Sequence, residues 1–285
     1  MILVFGKTGQ VAIELSKFEN IQVLNREQAD LTNPQACKKV ILSQKPKAVI
    51  NAAAYTAVDN AESDEYLARR INGEAPAKMA DACAELEIPF VHISSDYVFD
   101  GSGITPWHCL DTPSPKNVYG RSKLEGEKGV ESSGCVFAIL RTSWVVSQNG
   151  NNFLKTMLKL SQTKEFLNVV DDQIGGPTFA RDIAKTCIAI AQQLVEQPDK
   201  AGIYHYSGQP DVSWCQFANT IFEDAGCLTV ANPIPTSSYF TAASRPLNSR
   251  LDCSSTEDVF GISRPFWRDE LRITLQELGQ INDKT

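Results

Sequence analysis

Short apolar runs alternate along the chain with segments whose apolar residues recur at helical spacing. Residues 2–5 read as a buried strand, and residues 10–18 as a helix with Val11, Leu15 and Phe18 on one face. Residues 21–24 form a second predicted strand, followed by a helix over 34–43 with proline in its first turn. A third strand over 48–50, a long helix over 64–85 and a fourth strand over 89–93 come next. A helix over 117–130 and a fifth strand over 136–140 complete the regular part. Such alternation predicts an α/β fold, a doubly wound parallel sheet of the Rossmann-like kind with helices on both faces.

Beyond this point the pattern loosens. Residues 153–160, 179–194, 214–225 and 270–278 read as helices and 166–170 as a strand. Loops rich in Pro, Ser and Asn are predicted over 232–238 and 241–250. The expected organisation is a dinucleotide-binding domain over 1–145 plus about 164–200. A smaller C-terminal α/β substrate lobe takes about 146–163 plus 201–285.

Composition narrows the class. The chain has 285 residues, 27 basic against 34 acidic, for a net charge of −7. No basic run exceeds two residues, which argues against nucleic acid as a partner. The eight cysteines include no CxxC pair and the three histidines are scattered, so no metal motif is expected; buried free thiols in a reducing compartment fit the cysteines. The chain opens directly on a strand and no apolar run approaches the ~18 residues a membrane helix needs. A cytoplasmic protein without a membrane partner is expected, as a monomer or homodimer.

The chemistry begins at Gly6-Lys7-Thr8-Gly9-Gln10-Val11-Ala12, between the first strand and the first helix. Small residues there let the backbone turn tightly and approach a pyrophosphate, while the helix start offers N–H donors. Gly6, Thr8, Gly9, Gln10 and Val11 are therefore candidate cofactor residues. The second strand ends Leu24-Asn25-Arg26, without the carboxylate that favours NAD. Arg26 can pair with a 2′-phosphate, which tilts the cofactor to NADPH with NADH still open; a solvated surface arginine is the alternative. Asp30 and Leu31 stand where they can edge the adenine.

Tyr119 and Lys123, at i and i+4 on a predicted helix, share one face. Ser95 follows the fourth strand, at the sheet edge where ligands bind in doubly wound folds. Reducing a ketone leaves an alkoxide that needs a proton. A tyrosine whose phenolate is stabilised by a lysine ammonium can supply it, and a serine hydroxyl can orient the carbonyl. The expected catalytic set is Ser95, Tyr119 and Lys123, with Lys123 lowering the phenol's pKa.

The segments GKTGQV, NAAAYTAVDNAE, SSDYVFDG, YGRSKLEGE, LRTSWV, VVDDQIGGPT and RPLNSRLD together resemble the dTDP-4-dehydrorhamnose reductase family of the extended short-chain dehydrogenase/reductases. The likeness runs from residue 6 to about 252. It implies hydride transfer from NADPH or NADH to C4 of dTDP-4-dehydro-6-deoxy-L-mannose, giving dTDP-L-rhamnose. It implies Tyr119 as proton donor, Lys123 as its partner, and Ser95 as the hydroxyl that polarises the carbonyl, where the family usually has Thr. Gly9, Gln10, Val11, Asp30, Leu31, Ala53, Ala54, Tyr55 and Thr56 fall in cofactor-contact segments. Asp96, Tyr97 and Trp144 match sugar-nucleotide contacts; Trp144 alternatively packs in a core. Arg245 can reach a phosphate or stand as an exposed loop arginine.

Two departures stand out. Ala12 replaces a common glycine. Some members share a magnesium ion between subunits through acidic residues; Glu14 and Glu277 fit, but Arg181 stands where a third acid is expected, and its charge would repel the metal. No metal site is therefore carried over.

Competing activities are weighed by the same residues. Dehydration in related enzymes needs Asp-Glu beside the hydroxyl residue, whereas this chain has Asp96-Tyr97. Epimerisation uses the same Tyr and Lys with a cofactor that stays bound, and it stays open until net consumption of NADPH separates the two. A reductase of another sugar nucleotide, or a non-catalytic NADP-binding subunit like that of methionine adenosyltransferase, is the remaining alternative, and the intact Ser95, Tyr119 and Lys123 favour an enzyme.

Overall fold

Strands that are apolar at every position belong in a sheet covered on both faces. The computed structural model, which describes residues 1–281, contains such a sheet. Its strands are β1 (Ile2–Phe5), β2 (Ile21–Leu24), β3 (Ala48–Asn51), β4 (Phe90–Ser95) and β5 (Phe137–Thr142), joined by Gly202–His205. All pair in parallel, in the order Gly202–His205, β5, β4, β3, β1, β2. Side chains alternate between two cores, as strand geometry requires. Val4, Ile50, Val91 and Leu140 pack with helix Ala180–Glu196 on one face. Leu3, Phe5, Val49, Phe90 and Ile139 pack with helices Pro34–Gln44 and Ala75–Leu86 on the other.

The sixth strand was not anticipated. Gly202–His205 lies in a stretch expected to belong to the substrate lobe, yet it pairs with β5 at the sheet edge. Conversely, Phe166–Val170 joins no strand of the main sheet and pairs in parallel with Val230–Ile234. That second strand corrects the loop expected over 232–238: Pro233 sits in a two-stranded ribbon, where a proline is tolerated because edge positions need no complete ladder. Around the ribbon, helices Phe153–Ser161, Trp214–Asp224 and Trp267–Glu277 enclose a separate core that includes Leu154, Phe217, Phe222 and Leu271. Among the described residues no helix is long and apolar enough to cross a membrane.

The long helix expected over 64–85 is present but interrupted. Glu65–Arg69 and Ala75–Leu86 are α-helical, and Arg70–Glu74 between them widens into a π-turn. Such turns concentrate at functional positions. Here it offers buried Asn72, which accepts from the Tyr55 backbone N–H (2.8 Å) and donates to the Tyr55 carbonyl (3.0 Å) and the Ser122 hydroxyl (3.0 Å). One side chain thus ties the loop after β3 to helix Val118–Glu131.

That helix approaches its neighbours closely. A Cβ on Gly126 would lie 2.1 Å from the Asn72 carbonyl oxygen. Gly126→Ala gains about 1 kcal/mol in helix propensity but forces a backbone displacement whose overpacking costs about 1–3 kcal/mol. We expect a net loss of stability and a lower midpoint in urea unfolding; an unchanged or raised midpoint would show that the two helices can part without cost.

Candidate active site

The strand order reverses direction between β1 and β3, because the chain winds from β1 outward to β2 and then returns past β1 to β3. A crevice opens at such a switch point, outside the carboxyl ends of the strands. A cleft of about 610 Å³ occupies it. The glycine turn after β1 forms one wall. Gly6 has φ +105°, and a Cβ there would meet the Ala53 Cβ at 3.3 Å, so only glycine lets the turn lie against the loop after β3. Helix α1 (Gln10–Leu15) starts at Gly9, with no side chain capping its first N–H groups. These backbone donors and the absence of side-chain bulk fit a nucleotide pyrophosphate. Ala12 is fully buried, packed at the helix–sheet junction.

The opposite wall comes from β4, β5 and helix Val118–Glu131. Ser95, Tyr119 and Lys123 all line the cleft, as do Asp96, Tyr97 and Trp144. So do Gly6, Thr8, Gly9, Gln10, Val11, Ala53, Ala54 and Thr56. Five other candidates do not line it. Leu31 is buried in the core beside Phe5. Tyr55 packs against Ala61, Ala68 and Val118. Arg26 is exposed and pairs with Asp30 at 3.2 Å. Arg245 pairs with Asp59 at 2.6 Å, leaving its second terminal nitrogen buried without a partner among the described residues.

Within the constellation, Lys123 is 1% exposed and its Nζ donates to the Ile93 carbonyl at 2.7 Å. Burial pulls its pKa down to about 8, opposed by Glu127. Glu127 is itself fully buried and held by Arg141 at 2.7 Å. Tyr119 meets Tyr97 edge-on, with ring centroids 5.4 Å apart. Its phenol departs from expectation: burial pushes it up to about 12, with a smaller contribution from Asp96 and against the lowering effect of the Ser95 hydroxyl, while the Lys123 Nζ is directed at the Ile93 carbonyl. The phenol is accordingly held in its neutral form. Ser95 donates to the Asp96 carboxylate at 2.9 Å and accepts from the Tyr97 N–H at 3.2 Å.

Several cleft residues were not singled out in the sequence. Thr142 ends β5 with a buried hydroxyl that has no hydrogen-bond partner among the described residues. Asn152 caps helix Phe153–Ser161 through the Lys155 N–H (3.1 Å) and donates to Gln10 at 2.8 Å, so the start of that helix is tied to the glycine turn. An Asn immediately before an apolar helical run was the available signal. Trp144 adopts φ +49°, an uncommon backbone for a bulky residue, and stacks on Trp214 with centroids 3.5 Å apart. Gly175 leaves room for it, since a Cβ there would come 3.0 Å from the indole. Arg181 bridges carboxylates, lying 3.9 Å from Glu14, 3.4 Å from Glu270 and against Glu277.

Comparison with known proteins is consistent along the whole chain. The family described as RmlD substrate binding domain matches residues 1–280. The chain belongs to the dTDP-4-dehydrorhamnose reductase family. It is 41% identical to the reductase of that name from Sinorhizobium fredii over 281 residues, 95% of each chain. It is 38% identical to that of Salmonella typhimurium over 291 aligned positions, 97% of each. Among solved structures, the reductase from Clostridium acetobutylicum superposes with a TM-score of 0.90 at 34% identity, covering 98% of this chain and 99% of that one. The Bacillus anthracis reductase, solved in complex with NADP, gives 0.89 at 32%, covering 97% and 98%. Family membership places the chain among the oxidoreductases with a Rossmann-like fold.

Asp96 supplies a test of the cleft's electrostatics. It is 2% exposed, and burial pushes its carboxyl up to about 6, against hydrogen bonds from Ser249 and Ser95. The native state then binds more protons than the unfolded chain between about pH 4 and 6, so stability falls as pH rises through that window. Asp96→Asn should flatten this slope, by on the order of 3 kcal/mol across it. Unfolding curves of both proteins at pH 4 to 6 measure it, and identical slopes would remove Asp96 as the cause.

Proposed function

We propose that the protein uses NADPH, with NADH as a second choice, to reduce the C4 ketone of dTDP-4-dehydro-6-deoxy-L-mannose to dTDP-L-rhamnose. The convergence of Ser95, Tyr119 and Lys123 in one cleft, opposite the glycine turn, carries this reading. The whole-length likeness to reductases of that name supports the substrate. In this reading the six-stranded sheet binds the cofactor and the ribbon-and-helix lobe faces the sugar nucleotide.

Gly6, Thr8, Gly9, Gln10 and Val11 hold the cofactor's phosphates through backbone donors, and Ala53, Ala54 and Thr56 border it across the cleft. Arg26 favours NADPH if its guanidinium leaves Asp30 for a 2′-phosphate. A bound reduced nicotinamide supplies the hydride. Ser95 hydrogen-bonds the ketone oxygen and orients it. Tyr119, neutral because it is buried, gives its phenolic proton to that oxygen as negative charge develops there. Lys123 stabilises the phenolate that is left and holds the ribose hydroxyls. Asp96, Tyr97 and Trp144 line the sugar's side, where the Trp144 indole offers a flat apolar face to a deoxysugar. Arg245 reaches a substrate phosphate by exchanging Asp59 for it.

Substrate-dependent loss of reduced-nicotinamide absorbance, with dTDP-rhamnose as product, is the expected result when the ketosugar is generated in situ. Tight NADPH binding without turnover would instead favour another sugar nucleotide or a regulatory role. Tyr119→Phe should lower turnover by ~100-fold or more with cofactor affinity nearly unchanged. Lys123→Ala should weaken both. Full turnover in Tyr119→Phe would remove that residue as proton donor.

A further inference from the structure

Behind Lys123, on the side away from the cleft, lies a polar pair with no role in the steps above. His92 on β4 is fully buried, and Asn51 at the end of β3 is 1% exposed. The Lys123 Nζ lies 3.4 Å from His92 Nε2, and His92 Nδ1 lies 3.2 Å from Asn51 Nδ2. Two polar residues in a sheet interior that the apolar pattern would fill with Val or Ile call for a physical reason.

Proton bookkeeping supplies one. Asn51 Oδ1 accepts the Ala53 backbone N–H at 3.2 Å, which fixes the amide so that Nδ2 faces the histidine. An amide nitrogen only donates, so His92 Nδ1 must accept. Burial, before any charge on Lys123, drives the His92 pKa well below its ordinary value, so the ring is neutral and carries its single proton on Nε2. That proton is directed at Nζ. An ammonium has three donors and no acceptor, whereas a neutral amine has a lone pair to receive it.

We propose that Asn51 and His92 act as positioning residues that set the protonation state of Lys123, by holding a proton on Nε2 that only the neutral amine can accept. The Lys123 equilibrium is then shifted toward the amine, which donates to the Ile93 carbonyl and accepts from His92. The pair makes the lysine's charge responsive to what binds in the cleft, because an anionic cofactor nearby favours the ammonium. The other titratable and charged groups around Lys123 come from three elements. Glu127 and Tyr119 lie on its own helix, Asp96 follows β4, and Arg141 on β5 neutralises Glu127 in their buried ion pair. Asp96, whose second carboxylate oxygen has no hydrogen-bond partner among the described residues, is the remaining acid of the constellation, and the Lys123 Nζ is directed at the Ile93 carbonyl. This inference rests on the reductase reading for its use in catalysis, but not for its test.

The test needs neither cofactor nor substrate. Ring-nitrogen NMR of histidine-labelled protein reads the His92 tautomer, and side-chain NMR of labelled lysine reads the Lys123 titration midpoint. The expected result is the Nε2–H tautomer, with a Lys123 midpoint at least about one pH unit below that of an ordinary lysine. In Asn51→Asp, the carboxylate accepts from Nδ1, so the tautomer should flip and the Lys123 midpoint should rise by about one unit or more. An Nδ1–H tautomer in the unmodified protein would overturn the proposal without any variant. So would an unmoved midpoint in Asn51→Asp, or a rise with the tautomer unchanged, which is a bare charge effect. Absence of reductase turnover would count against the proposed function and leave these readings standing.

Discussion

The contact on which the site depends is the seating of helix Val118–Glu131 against the end of β4. A Cβ on Gly120 would lie 2.1 Å from the Tyr97 carbonyl oxygen, so the helix backbone touches the very turn that carries Ser95, Asp96 and Tyr97. This closeness lets the Lys123 side chain reach the Ile93 carbonyl and sets Tyr119 beside Tyr97. Misplacing a reacting group by about 1 Å can cost ~100-fold in rate. Glycine in a helix sacrifices propensity, and here the sacrifice fixes the distance between the turn that carries Ser95 and the helix that carries Tyr119.

One turn along the same helix, Glu127 joins Arg141 in a pair from which water is excluded. Arg141 also lies over the Phe99 ring at 5.0 Å, and Phe99 stacks on Trp107. Removing one member of such a pair costs about 3–5 kcal/mol, since the other is left charged and buried. The pair therefore anchors the helix to β5 and engages the carboxylate whose charge raises the Lys123 pKa. Burial outweighs the remaining pull of Glu127 and lowers the Lys123 pKa to about 8.

The cleft is completed from a distance in sequence. Asn152 reaches Gln10 across the cleft mouth, and the Trp144–Trp214 stack joins the end of β5 to a helix of the smaller lobe. These contacts make the lobe a wall of the site rather than an appendage. The exchange of segments between lobes has the same effect, since Gly202–His205 returns to the main sheet after the chain has already built part of the ribbon.

The parallel sheet, the glycine turn and the Tyr119–Lys123 pair were legible along the chain because each rests on local periodicity or i, i+4 geometry. Strand–helix alternation through residue 140 carries its own record of which face each side chain meets. The ribbon strand Val230–Ile234, the edge strand Gly202–His205 and the π-turn at Arg70–Glu74 were not legible. The first two are stabilised by partners far away in sequence, Phe166–Val170 and β5, and the third by a register that only packing imposes. Protonation states were equally out of reach. Tyr119 and Lys123 are displaced from their ordinary values chiefly by burial, and burial belongs to the assembled fold rather than to neighbours in the chain. Local spacing picked out the candidate site residues; the tertiary structure decided which protons they hold.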